Sequence, residues 1–451
     1  MTPHPDPTPG WRWGPFTFRL PFLHTRLLWP EFLQGLLVSA ATGLALVPVM
    51  THFFGFTFEQ ALTCAIIHNI LITSAVIVFG EPYAPGWVTP ALPLVLAFIA
   101  TGFETPAERV QAMTALSINF ALLVFVLGVT GLGSRLLRWI PQTLKAGIIL
   151  GAALAAFKRV LIDDADRFLL TQPIATTVAC GVALLLIFSE PLQGLMKRHV
   201  GLARLAALGL LPGFIAAAIV GPLVGEVQYD IQWGLFVPPL AETWAVASPW
   251  GVGWPSPVVF LTAAPLAFIT YIILFGDIVT GQAVLADAQP ERPDEPIHQD
   301  ARRTHLSLAV RNALLGISTP FFPTQGALWT GVHVVIVQRW RQGVQQMRSL
   351  HDGLHSYYLM GIPLVYFLLP LLTGLKPLLG IALSLTLVVT GFACAYVALA
   401  IPQRPAQRGA VLLTAAAIAF LEPWIGLVVG LAAALLLVTP DPLPEEPANK
   451  V

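Results

Sequence analysis

Charge is scarce in this chain. Asp, Glu, Lys and Arg make up only 11% of its 451 residues, and they balance to a formal net charge of zero. Soluble globular domains carry about a quarter of their residues charged, so an ordinary soluble enzyme is excluded. No basic run is present to follow a phosphate backbone, which argues against nucleic acid as a partner. Cysteine is scarce too: Cys64, Cys180 and Cys394 lie far apart inside apolar stretches, with neither metal-ligand nor disulfide spacing. There is no Walker loop, dinucleotide fingerprint or nucleophile elbow. The His298-Gln299-Asp300 stretch, among charges of both signs, reads as a solvated connection. The expectation is a protein without enzymatic activity, metal or cofactor.

What is abundant is apolar surface. Hydrophobic residues reach 56% and the mean hydropathy is +0.75, which places the chain in a lipid bilayer as an all-α, multi-pass membrane protein. Apolar runs fall at 33–54, 60–79, 91–102, 112–131, 140–157, 172–190 and 206–225, then at 257–285, 305–318, 326–337, 356–373, 377–399, 409–421 and 425–438. This predicts fourteen segments, seven in each half. The first half spans 31–226, a connection outside the cell spans 227–255, and the second half spans 256–438. Residues 1–30, rich in proline and without the apolar core of a signal peptide, form a cytoplasmic arm, and 439–451 form a cytoplasmic tail.

Basic residues orient the segments. With the N-terminus inside, seventeen of the 24 Lys and Arg fall in cytoplasmic loops or ends, among them Arg135, Arg138, Lys197, Arg292, Arg302, Arg303 and Lys450. Five fall outside (Arg109, Lys158, Arg159, Arg167, Lys376), and Lys145 and Arg311 lie within segments. A miscounted segment would invert half the loops and erase that bias. The setting is a bacterial-type plasma membrane with both termini cytoplasmic.

The third and tenth runs fall well short of the about 20 residues a span needs, and each follows a break. The first break is Gly80-Glu81-Pro82-Tyr83-Ala84-Pro85-Gly86-Trp87-Val88-Thr89-Pro90, and the second is Ser318-Thr319-Pro320-Phe321-Phe322-Pro323-Thr324-Gln325-Gly326. Proline removes an amide donor and clashes with the preceding turn. Such backbone survives at membrane depth only where protein buries it or where it lines a polar cavity. Paired breaks in corresponding places of two halves mark the binding site of inverted-repeat transporters.

Several local patterns resemble the nucleobase-ascorbate (uracil/xanthine permease) family, within the superfamily that also holds sulfate permeases and bicarbonate transporters. They are Leu33-Gln34 with Leu46-Val47-Pro48-Val49, Ile140-Pro141 opening a segment with Gly147 and Gly151, and Arg311-Asn312 with Gly316. The resemblance implies 7+7 inverted repeats, a core domain of segments 1–4 and 8–11, and a gate domain of segments 5–7 and 12–14. Substrate would lie between the broken third and tenth segments, carried as the core moves against the gate. It also implies an acid in segment 8, matched here by Asp277. A second acid in segment 10 is absent, because Leu328-Trp329-Thr330 stands where those permeases carry Gly-Glu-Asn.

Asp277 sits between Phe275 and Ile278 in an apolar run, and ionisable residues within membrane segments are functional by default. It is the candidate coupling residue, with a structural acid bonded to Thr280 or Gln282 as the alternative and His68 next in line to move a proton. Arg311, eight residues past Arg303, lies about 12 Å deep on a helix rising about 1.5 Å per residue. It either neutralises an anionic solute, pairs with Asp277 or Asp287, or snorkels back to the interface. Free amides at the starts of the two half-helices favour anionic or acceptor-rich groups. Thr89, Ala91, Gln325, Gly326 and Thr330 lie within reach of a ligand there, and Trp329 and Trp87 offer ring faces or mark the membrane interface. Gln34 joins the substrate set through the motif it matches; Asn69 and Asn119 read as interhelical hydrogen-bond glue.

The expectation is a secondary active transporter, proton-coupled, for a nucleobase-like solute such as xanthine or uracil, with a small inorganic or organic anion as the alternative. A homodimer remains an open assembly.

Overall fold

The computed structural model describes residues 9–38, 43–133, 136, 139–167, 169–196, 198–206, 208–320 and 325–439. Residues 321–324 of the second break, Arg135, Arg138, Lys197 and the tail beyond residue 439 lie outside them.

The chain is mainly helical. In order, the helices that build the apolar body are α1 (Trp29–Val38), α2 (Val47–Phe54), α3 (Phe58–Ile77), α4 (Leu92–Gly102), α5 (Pro106–Thr130), α6 (Gln142–Lys158), α7 (Pro173–Phe188), α8 (Leu211–Leu223), α9 (Pro257–Ala288), α10 (Ala301–Ile317), α11 (Thr330–Trp340), α12 (Leu350–His355), α13 (Ile362–Phe367), α14 (Leu379–Ala400), α15 (Pro405–Phe420) and α16 (Pro423–Leu436). Among the described residues, four stretches are long and apolar enough to cross a bilayer alone: Phe58–Ile77, Pro106–Thr130, Pro257–Glu291 and Leu369–Ala400. A fifth is Pro173–Phe188 with Glu190–Met196, bent by 64°.

Local chemistry sets the starts and stops. Thr57 with Gln60 and Thr105 with Glu108 form reciprocal capping boxes before α3 and α5, each satisfying two amides that a helix start leaves unpaired. Asp300 accepts from the amides of Arg302 and Arg303 at the start of α10. α5 stops at Gly131, whose φ of 68° is left-handed backbone that a side chain disfavours.

Two sets of helices pack mainly among themselves. In one, α5 lies along α10 and against α9, α1 runs along the π-helical turn Ser356–Gly361 between α12 and α13, and α11 meets α9 and α12. In the other, α6 packs on α14 and α15, α15 on α16, α7 on α8, and α14 on α7. Small residues permit the closest approaches. A Cβ on Gly147 would stand 2.4 Å from Thr414, and one on Gly35 would stand 2.4 Å from the Tyr357 carbonyl.

The stretch expected to form an N-terminal arm folds back on the helices. β1 (Trp11–Trp13) and β2 (Phe16–Phe18) pair antiparallel, with Trp11 opposite Phe18. The hairpin caps the end of α3, where the Trp13 indole donates to the Val78 carbonyl at 2.7 Å and the Arg19 amide to the Ile77 carbonyl at 2.8 Å. Further along the arm, Thr25 meets His355 at 3.1 Å, and the amides of Arg26 and Leu28 donate to Asp352 and Ser356 at 2.8 Å. These contacts bear on the apolar run expected at 356–373. Its helix begins at Leu350, not 356, because the arm supplies hydrogen-bond partners to Asp352, His355 and Ser356, all buried.

Candidate functional site

The two breaks cross as one unit. Trp87 and Gln325 face each other in an antiparallel bridge. The Gly326 amide donates to the Gly86 carbonyl at 2.8 Å, and the Trp329 amide donates to the Ala84 carbonyl at 2.7 Å. The Ala84 amide in turn donates to His333 Nδ1 at 3.3 Å, and the Tyr358 hydroxyl to the Pro85 carbonyl at 2.5 Å. Part of the backbone that proline strips of helical partners is satisfied in this way, as an apolar surrounding favours. Glycine makes the crossing fit. A Cβ on Gly86 would lie 2.9 Å from that of Trp329, and one on Gly326 would lie 2.9 Å from the Gly86 carbonyl oxygen.

After the crossing the chain turns helical on both sides. A 3-10 turn, Thr89–Ala91, leads into α4, and α11 starts at Thr330. α11 was expected from 326; the bridge to Trp87 holds Gln325 and Gly326 extended and delays it. Two short helices therefore begin beside one another at the crossing; the turn before α4 already uses the Ala91 and Leu92 amides, which donate to the Val88 and Thr89 carbonyls, whereas α11 opens with the unpaired amides of a helix start.

A buried polar network backs the crossing. Asn312 brackets Gln325, donating from Nδ2 to its carbonyl at 3.1 Å and accepting its amide at 2.9 Å. Gln325 Nε2 donates to the His68 carbonyl at 3.2 Å and lies 3.3 Å from His68 Nδ1. Arg311 donates from Nη1 to Gln325 Oε1 and from Nη2 to the Gly326 carbonyl, both at 3.3 Å. Arg311 is only 1% exposed, and Asn312, Gln325 and His68 not at all. Arg311 pairs with neither Asp277 nor Asp287: among the described residues it forms no ion pair, and Asp287 goes to Arg341.

Glu81 is the acid that sequence reading passed over. It is 2% exposed, accepts from the Thr304 hydroxyl at 2.7 Å, and lies 3.6 Å from Arg303 Nε. His333 was missed as well; its place four residues after Trp329 in an apolar helix was the available signal.

The remaining expected site residues divide. Thr89 and Trp329 are half-buried at the crossing, Ala91 is buried, and Thr330 is exposed. The Trp329 ring meets Tyr357 edge-on, 6.4 Å between centroids, while Trp87 meets His68 at 5.5 Å. Gln34 is half-buried on α1 beside the Gly35–Tyr357 contact. Asp277 is half-buried on α9 and has no hydrogen-bond or ion-pair partner among the described residues; Thr280 donates to the Gly276 carbonyl instead.

Around Asp277, α9 exposes Gly276, Val279, Thr280, Ala283 and Asp287, and α11 exposes Thr330, Gly331 and Gln338. The stripe is mostly small and polar. Elsewhere the exposed faces are apolar, with Leu122, Phe125, Val126 and Val129 on α5 and Val428, Leu431 and Leu435 on α16. Apolar faces suit lipid tails and the polar stripe suits an aqueous cavity.

At the opposite end of the molecule from the arm, the two helix sets touch through charged and aromatic groups. Arg167 meets His52, the Arg159 guanidinium lies 5.9 Å from the Phe53 ring centroid, and Lys376 lies 4.5 Å from that of Phe58. Arg159 also pairs with Asp164 at 3.2 Å. A cavity of about 500 Å³ beside Gln142, Thr143, Arg404 and Gln407 lies away from the crossing.

This architecture is shared with solved transporter structures. The chain is similar to SLC26A9, with a TM-score of 0.50 and 14% identity over 90% of this chain and 65% of that one. It thus spans about two thirds of that protein's length. It is also similar to the transmembrane domain of a cyanobacterium bicarbonate transporter, BicA, with a TM-score of 0.52 and 11% identity over 90% of this chain and 99% of that one. At such identities the likeness is one of fold: a membrane-transporter fold in an integral, multi-pass protein. No protein-family model matches the sequence, and no curated protein sequence matches it.

Proposed function

We propose that the chain is a secondary active transporter whose solute is a small anion, held where the starts of α4 and α11 meet. The observation that carries this reading is the crossing itself. Two helix starts, each a partial positive charge, stand together in front of the buried Arg311, and no acid stands on α11 to oppose an anion. A resemblance to uracil permeases had placed a nucleobase-like solute such as xanthine or uracil first. The missing acid weakens that reading, and fold likeness to a bicarbonate transporter favours the anion. The nucleobase reading keeps one support, the half-buried rings of Trp87 and Trp329 beside the crossing.

The packing supports a mechanism in which one helix set moves against the other. Helices α1–α5 and α9–α13 correspond to a core and α6–α8 with α14–α16 to a gate, within fourteen segments related as 7+7 inverted repeats with both termini cytoplasmic. The core carries the crossing. It slides against the gate, moving the bound solute between the polar stripe on one side and the Arg167–His52 contact on the other. Asp277, facing the stripe without a partner, takes the coupling proton.

A thermal-shift panel of nucleobases, carboxylates and oxyanions on the purified protein tests the solute class, since a ligand that binds only the folded state raises its melting temperature. Stabilisation by small anions alone supports this reading. Stabilisation by nucleobases alone removes it.

A further inference from the structure

We propose that Arg311 selects the charge of the solute without touching it, so that the site takes a small solute carrying a single negative charge. This rests on the anion reading and names the residue and the charge that reading leaves open.

No carboxylate among the described residues forms an ion pair with Arg311; Glu81 acts on it electrostatically but is shared with the nearer Arg303, which leaves these three groups one positive charge in excess. Arg311 is 1% exposed. The acids nearby are otherwise engaged: Glu81 with Thr304 and Arg303, Asp300 with the first amides of α10, and Asp287 with Arg341. A buried cation without a partner is costly, and proteins keep one where something transient supplies the opposite charge.

Its hydrogen bonds are to neutral acceptors of the second break. One is the Gln325 side-chain oxygen and the other is the Gly326 carbonyl. Both residues are fully or nearly fully buried, which puts protein between the guanidinium and the start of α11. A donor on the Gly326 carbonyl polarises the peptide that continues into the Ala327 amide. That amide and the next, of Leu328, donate to no group among the described residues, and both residues are buried. Thr330, Gly331 and Val332 follow as the unpaired first turn of α11. A run of unused amides beside a cation whose charge is only partly offset is a division of labour: the amides make the contacts and Arg311 supplies the charge. One positive charge is offset by one negative charge, and a divalent anion would leave an excess in a site with little water.

The rival account is mechanical, with Arg311 only pinning the second break. Three variants of the full chain separate the two. Arg311→Gln keeps a hydrogen-bond donor and removes the charge. Gln325→Glu leaves the arginine in place and supplies the missing carboxylate where Oε1 now accepts from it. Arg311→Lys keeps the charge and loses the two-pronged donor. Affinities are measured by calorimetry for bicarbonate, nitrate, chloride and formate, for sulfate and oxalate, and for uracil. The expected result is wild-type binding of monovalent anions over divalent ones, weakened tenfold or more by both Arg311→Gln and Gln325→Glu and within about threefold of wild type in Arg311→Lys. If Arg311→Gln does not fold, Gln325→Glu decides alone. Unchanged affinity in the charge-cancelling variants, a lysine variant as weak as the glutamine one, or failure of both charge-cancelling variants to fold would make the arginine a mechanical pin and overturn the proposal. A wild-type preference for sulfate or oxalate overturns the single-charge claim while leaving the anion reading intact; binding of uracil and no anion overturns both.

Discussion

The Trp329 amide donates to the Ala84 carbonyl at 2.7 Å, joining residues 245 positions apart through main-chain atoms alone. With the Gly326–Gly86 bond beside it, this makes the two breaks one rigid piece. A side-chain change at Trp329 leaves the link intact, and a change in backbone spacing does not.

Gly326→Ala tests that rigidity. The added methyl meets the Gly86 carbonyl at 2.9 Å and the Trp87 backbone at 3.0 Å, and neither is a flexible side-chain end. Overpacking of this kind costs about 1–3 kcal/mol. The variant should melt several degrees lower and lose transport. Gly181→Ala, whose new Cβ meets nothing within 4 Å, should do neither; equal melting temperatures would show that the crossing yields easily.

Asp277→Asn keeps the shape of the side chain and cannot release a proton. Because Asp277 has no bonded partner among the described residues, the variant should fold with an unchanged melting temperature. The pH dependence of uptake should flatten. A variant that keeps both its pH profile and its rate would make Asp277 a bystander and move attention to His68.

Orientation is open to cysteine labelling. The loop between α9 and α10 carries Arg292, Arg302 and Arg303, which favours the cytoplasm. Gln289 is a poor reporter there, since its side chain binds the carbonyls of Arg292 and Glu295 and the amide of Ile297. Pro293 is exposed. With Cys180, half-buried, replaced by serine, a cysteine in place of Pro293 should resist an impermeant maleimide on intact cells and react after permeabilisation. Ready labelling of intact cells would invert the topology.

The contacts of Arg167 with His52 and of Arg159 with Phe53 join the two helix sets at the end away from the arm. Arg167→Ala should loosen that end and reduce the labelling of a cysteine at Thr330 from the cytoplasmic side, as the core spends less time facing inward. Unchanged labelling would show that the contact does not hold the inward-facing state.

Much of this was legible in the sequence, for physical reasons that also mark where legibility stops. Proline and glycine dictate backbone locally, so the first break and the start of α4 at Leu92 stand where residues 80–93 placed them. Hydropathy finds what lipid or core covers. It discarded Asp352 and His355, which are buried against polar groups of an arm more than 300 residues away, and so it started the run at 356–373 late. Arg311 was recognised as a buried cation, but its partners were not. Gln325 and the Gly326 carbonyl, 14 and 15 positions further along the chain, come within reach only in the folded protein, and neither periodicity nor charge pairing encodes those contacts. The same holds for Glu81, which read as part of a turn and is bound to Thr304.

The central claim is that this crossing carries a small anion across the membrane. Uptake into proteoliposomes, with labelled bicarbonate and labelled uracil each offered against an excess of the other, tests it most directly. The account predicts saturable uptake of the anion that uracil does not reduce. Saturable uptake of uracil unaffected by bicarbonate and other small anions, or a flux that never saturates, would contradict it.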